Sequence, residues 1–172
     1  KISWIQDTDK KAQVVLAEAC LRAMPDILTG KVKATDVMFP NSSMELVEGI
    51  YKGNLLSDLF HDVLGETLVS YIQESLSQDG SSQFRILEIG AGTGGSTDGL
   101  LSKLRPFQDH IREYCYTDLS KAFLLHAREN YVSRAPYLTT RIFDVEKPIA
   151  EQNIQADRYD VVIAANVLHA TR

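Results

Sequence analysis

The sequence predicts an α/β fold: a mostly parallel sheet with its covering helices, preceded by an N-terminal helical subdomain. Three observations predict it. Helical periodicity fills the chain up to about residue 80, strands alternate with helices after it, and a glycine cluster sits where the first strand turns into a helix. The division falls at Gln78-Asp79-Gly80-Ser81-Ser82, a polar run with turn chemistry, giving a helical subdomain over 1–80 and an α/β core over 81–172.

In the first part, Val14, Val15, Ala17, Leu21 and Met24 recur roughly at helical spacing until Pro25, where the run is expected to be disturbed. Gly30 to Pro40 reads as a loop. Ser42-Ser43-Met44-Glu45 has the form of a capping box, with Ser42 as N-cap and Glu45 three residues on. Leu55, Leu59, Val63, Leu68, Val69 and Ile72 then mark a longer amphipathic helix, with Gly65 as a point of interruption.

In the second part, Phe84 to Ile89 reads as a strand, followed at once by glycines and a helix to about Leu104. Glu113 to Thr117 is a second strand, and Ser120 caps a helix through Leu124, Leu125 and Ala127. Leu138 to Phe143 is a third strand. Tyr159 to Ala165 is a fourth, apolar enough to lie centrally in a sheet. A doubly wound sheet ending four strands in leaves an edge unpaired, so a longer parent chain is expected.

The 172 residues carry a net charge of −5, which disfavours a general nucleic-acid binder. No apolar run reaches the roughly 20 residues of a membrane span, and Lys1 to Lys11 contains no signal-peptide h-region. Cys20 and Cys115 stand far apart in sequence, which favours two buried thiols in a reducing compartment. The expected location is cytoplasmic. No metal-ligand cluster is visible in the sequence.

Glu88-Ile89-Gly90-Ala91-Gly92-Thr93-Gly94-Gly95 follows a strand and opens a helix, a place where the backbone can approach a ligand lying over the strand end. The plain alternative is a tight turn without a ligand. A dinucleotide and S-adenosylmethionine both fit the loop, and Asp118, at the end of the second strand, suits the ribose of either. Glu88 separates them. A carboxylate there suits the sulfonium and ammonium of S-adenosylmethionine and repels a pyrophosphate. Asp144, ending the third strand, is a candidate acceptor for an adenine amino group, with Phe143 against the ring; otherwise it caps the next turn. His169 follows the fourth strand, beyond whose carboxyl end a substrate would lie. His61, His110 and His126 read as ordinary structural histidines.

Glu88 to Gly95, Tyr116-Thr117-Asp118-Leu119-Ser120 and Asn166-Val167-Leu168-His169-Ala170-Thr171 together resemble the C-methyltransferase domains of modular polyketide synthases. The stretch Asp36 to Tyr51 resembles the helical lid region of their bacterial members. The glycine motif alone is common to most class I methyltransferases; the lid stretch and the histidine motif are more specific. The resemblance runs along nearly the whole chain.

That resemblance implies a Rossmann-like class I methyltransferase core, cut after its fourth strand, behind an N-terminal lid. It implies a domain of a multidomain synthase that methylates the α-carbon of a β-ketoacyl chain held through phosphopantetheine on an acyl carrier protein. Glu88, Gly90, Gly92, Gly94, Asp118, Asp144 and Asn166 would form the S-adenosylmethionine site, with S-adenosylhomocysteine as product. His169 would be the general base. Its family partner, a glutamate, has no counterpart within these residues. Tyr51 and Asn54 are candidates to line the substrate entrance, or Tyr51 packs within the helical subdomain. The chemistry agrees: imidazoles titrate near 6.5, suited to the acidic α-proton of a β-ketothioester. The rival readings are an oxygen or nitrogen methyltransferase acting on a small molecule, a nicotinamide-dependent reductase, and an inactive domain kept for its fold.

Overall fold

Strand-forming residues in the second half of the chain pair as four parallel strands in a computed structural model that describes residues 10–51, 53 and 55–171. The strands are β1 (Phe84–Glu88), β2 (Ile111–Asp118), β3 (Leu138–Ile142) and β4 (Val161–Ile163), in the order β3-β2-β1-β4. The register sets Glu88 beside Tyr116 and Ile163, and Thr117 beside Arg141, so the carboxyl ends of all four strands lie together.

The helices are α1 (Lys11–Leu28), α2 (Ala34–Met38), α3 (Glu45–Tyr51), α4 (Leu55–Gln78), α5 (Gly95–Leu104) and α6 (Lys121–Asn130). The chain forms two compact units, residues up to 60 and residues from 61 on. In the second unit, strand alternation sends Phe84, Ile86, Tyr114 and Tyr116 to one face of the sheet. There they bury against Leu68 and Ile72 of α4, Leu100, Leu101 and Leu104 of α5, and Leu124 and Ala127 of α6. Leu87 and Cys115 face the other way, with Phe143 and Ile154.

Several expectations are corrected in detail. Pro25 does not end α1, which runs on to Leu28; the helix carries Pro25 in its last turn. The segment from Gly30 to Pro40 is not all loop, because Ala34–Met38 forms α2 and a 3-10 turn follows at Pro40–Ser42. The serine that bonds the start of α3 is Ser43, whose hydroxyl accepts the Glu45 amide at 3.3 Å, so the helix begins two residues later than a cap at Ser42 requires.

Gly65 does not interrupt α4. It makes room for Lys103 of α5: a Cβ at Gly65 would lie 2.5 Å from the lysine Cδ. The ammonium of Lys103 bonds Glu66 at 2.5 Å and pairs with Asp62 at 3.3 Å. β4 is shorter than expected and lies at the edge of the four described strands, with Val162 57% exposed. Cys20 and Cys115 are both free thiols; Cys115 is buried as expected, whereas Cys20, on α1, is only partly buried. Among the described residues no helix is long and apolar enough to cross a membrane, and no group of acids, cysteines and histidines is placed to hold a metal ion.

Candidate active site

The loop after β1 takes its shape from residues at the end of β2. Gly90, Gly92 and Gly94 all have left-handed backbone, with φ of +60°, +59° and +78°. A side chain is excluded at two of them by their neighbours. A Cβ at Gly90 would lie 2.6 Å from a Val167 methyl, and one at Gly94 would lie 2.2 Å from the Tyr131 hydroxyl oxygen. Ala91 donates its amide to the Thr117 carbonyl at 2.9 Å, and Thr117 donates its hydroxyl to the Glu88 carbonyl at 2.7 Å. Gly92 donates its amide to Asp118 Oδ2 at 3.0 Å.

Asp118 is thereby bound to the glycine loop before any ligand is considered. Its other oxygen accepts the Ser120 amide at 2.7 Å. Burial pushes its carboxyl above the ordinary range, and the backbone amides of Ser120, Gly92 and Leu119 pull it back.

Glu88 occupies a different place from the one its charge suggested. Its carboxylate is 1% exposed and sits behind the loop, accepting hydroxyl hydrogens from Thr97 and Tyr114, each at 2.7 Å. Strand alternation explains this: Glu88 shares the inward face of β1 with Phe84 and Ile86. Burial raises its pKa, while the two hydroxyls oppose the rise. Its role in this structure is to tie the end of β1 to α5 under the glycines.

A cavity of about 320 Å³ opens beyond the strand ends, within the usual range for a small-molecule site. It is lined by Ile89, Gly90, Asp118, Leu119, Phe143, Asp144, Val145, Glu146, Asn166, Val167 and Thr171. Of the residues singled out in the sequence, Gly90, Asp118, Asp144 and Asn166 therefore meet at one cavity. Gly92 and Gly94 are in the loop behind it. Asp144 Oδ1 accepts the Glu146 amide and its Oδ2 pairs with Lys147 at 3.2 Å, so it both caps its turn and faces the cavity. Asn166 holds a left-handed backbone, φ +57°, which a non-glycine residue adopts most readily as asparagine or aspartate.

His169 lies in the 3-10 turn Leu168–Ala170, exposed, between Val167 and Thr171 of the cavity wall. Tyr51 ends α3 in the first unit with its side chain exposed, and Asn54 lies outside the described residues.

The cavity wall carries three carboxylates, Asp118, Asp144 and Glu146, and among the described residues no lysine or arginine lines it, Lys147 pairing with Asp144 from outside the wall. This residue set fits a cationic ligand with hydroxyls better than a pyrophosphate. Glu146 and Tyr131 lie outside the motifs of the sequence, and Tyr116 and Val167 lie within them without being predicted as site residues. The two tyrosines support the loop from beneath: Tyr116 donates to the Gly92 carbonyl at 2.5 Å, and Tyr131 reaches the Gly94 carbonyl at 3.5 Å. Period-two alternation from Asp118 points to Tyr116 on the same face. No comparable sequence signal points to Tyr131.

A family model described as a methyltransferase domain matches residues 87–172. The chain belongs to the methyltransferase-domain family. Polyketide synthases PksM and PksR of Bacillus subtilis (strain 168) are 63% and 58% identical to it over 172 residues, all of this chain. The chain spans only 4% and 7% of the lengths of those two synthases. The crystal structure of the DszA carbon methyltransferase matches with a TM-score of 0.87 and 38% identity, over 98% of this chain and 43% of that one. The methyltransferase domain described here is thus similar to the carbon methyltransferase domains of polyketide synthases. Its parallel sheet and covering helices are the class I methyltransferase fold.

Proposed function

We propose that this chain is the cofactor-binding part of a C-methyltransferase that uses S-adenosylmethionine and acts on the α-carbon of a β-ketoacyl thioester carried by an acyl carrier protein. The observation that carries the cofactor assignment is the cavity at the strand ends, walled by three carboxylates, with no lysine or arginine lining it among the described residues. The acceptor assignment rests on the similarity to domains described as carbon methyltransferases and on the His169 motif.

In this reading Asp118 takes the ribose hydroxyls, its carboxylate already oriented by Gly92 and Ser120. Asp144 and Asn166 hold the polar edges of the ligand, and Phe143 supplies an apolar wall for its ring. Gly90, Gly92 and Gly94 let the backbone approach, and Glu88 supports them from behind. When bound, S-adenosylmethionine supplies an electrophilic methyl group for the acceptor carbon. His169 removes the α-proton, which is acidic because the resulting carbanion is delocalised over two carbonyls. The protein's main contribution is then to hold the two reactants in line. Carrier protein and neighbouring synthase domains are the partners.

The test uses the full-length polypeptide that bears this chain, with S-adenosylmethionine and an acetoacetyl-loaded acyl carrier protein. Mass spectrometry of the acyl arm should show one added methyl on carbon. Methylation of oxygen or nitrogen on a free small molecule instead would move the assignment to another methyltransferase class. Cofactor binding with no methylated product would indicate a domain retained for its fold.

A further inference from the structure

Gly92 is held by both of its polar backbone groups, and both partners come from β2. Its amide donates to Asp118 at 3.0 Å, and its carbonyl accepts the Tyr116 hydroxyl at 2.5 Å. Tyr116 and Asp118 are two residues apart, so strand alternation places them on one face. The backbone of Thr117 between them takes the Ala91 amide. The amide and the carbonyl belong to the two peptide groups on either side of the Gly92 Cα, and with both held neither φ nor ψ turns freely, which is the freedom a left-handed glycine otherwise has.

Tyr116 is fully buried, and its ring packs in the core under the loop, 6.4 Å from the Tyr131 ring. Burial and the nearby charge of Glu88 push its pKa far up, so the hydroxyl keeps its hydrogen and stays a donor. It does not line the cavity. Its action on a ligand therefore has to pass through the loop.

We propose that Tyr116 is a positioning residue for the cofactor: its hydroxyl holds the Gly92 carbonyl and so restrains the backbone at Gly92, whose amide, in the neighbouring peptide group, in turn orients the Asp118 carboxylate toward the ligand. This inference rests on the S-adenosylmethionine reading above. It predicts that the hydroxyl matters to cofactor binding and that the ring alone suffices for the core. Tyr116→Phe removes the one and keeps the other.

The experiment measures S-adenosylmethionine binding by calorimetry, together with kcat and the KM of each substrate, for the full-length polypeptide and its Tyr116→Phe variant. The expected result is five- to tenfold weaker cofactor binding, the loss of about one well-placed hydrogen bond. The cofactor KM should rise by a similar factor, with kcat at saturation and the KM of the carrier-bound acceptor within about twofold, the change being confined to binding. Unchanged cofactor affinity would overturn the role. A parallel fall in kcat, in both affinities and in melting temperature would also overturn it, since that pattern marks a general loss of structure. If the unaltered protein fails to bind S-adenosylmethionine at all, the cofactor reading itself falls and this inference with it, a result distinct from the other two.

Discussion

The segment after β1 and the segment after β4 both reach the same cavity, yet they are built differently. The first, running to Gly94 from Glu88 at the end of β1, is bonded to β2 at four points: Thr117 hydroxyl to Glu88, Ala91 to Thr117, Gly92 to Asp118 and Tyr116 to Gly92. The second, Asn166 to Thr171, makes local bonds, with Thr171 turning its amide and hydroxyl back to the Leu168 carbonyl. Leu168 and His169 are exposed there, whereas Glu88, Thr93 and Thr117 are buried. The two halves of the proposed reaction are therefore prepared to different degrees. The cofactor end is preorganised by the fold, and the acceptor end presents its histidine outward.

Substitutions at the two segments should therefore separate binding from chemistry. His169→Ala is expected to lower the methylation rate by about a hundredfold or more while leaving cofactor affinity within about twofold. Steady-state kinetics beside a binding titration checks this, and normal turnover would remove His169 from the mechanism.

Asp118→Ala acts at the other segment. It should weaken S-adenosylmethionine about thirtyfold, because a charged acceptor for ribose and the Gly92 bond are lost together. Gly94→Ala should weaken the cofactor about tenfold and cost about 2 kcal/mol of stability, since the new methyl meets the Tyr131 hydroxyl and the backbone is left-handed. Denaturant unfolding and calorimetry report the two effects separately.

The smallest effect is a slope against pH. Glu88 has its pKa raised by burial in the folded state, above its ordinary value of 4.5, so folding binds its proton more tightly. Its contribution to stability is greatest below that ordinary value and declines as pH rises from there through the raised folded value. Glu88→Gln should flatten that decline in the melting temperature measured across the acidic range. An unchanged slope would show that some other group sets it.

Much of this contrast was legible in the sequence, for reasons that differ by residue. The strands announced themselves by apolar runs, and the loop by glycines at positions the structure gives positive φ. Asp118 is legible because it is the last residue of β2, and Asp144 because it follows β3 by two residues, although the strand ends at Ile142 rather than at Phe143. Glu88 is legible as a carboxylate near the loop, and its inward orientation follows from the pleat of β1 and the hydroxyls of Thr97 and Tyr114. α2 escaped notice because five residues leave no room for periodicity. The adjacent serines at 42 and 43 made the start of α3 ambiguous, and the Glu45 amide chose Ser43. Lys103 over Gly65 is a contact between helices far apart in sequence, so nothing local could show why α4 continues unbroken.

In the proposed function the cofactor seats on the ends of β1 and β2. Hydrogen–deuterium exchange of the full-length polypeptide, with and without S-adenosylmethionine, tests it directly. Slowed exchange in 88–97 and 116–120 on adding the cofactor is the predicted result. Protection confined to other parts of the chain, or none at a saturating concentration, would contradict it.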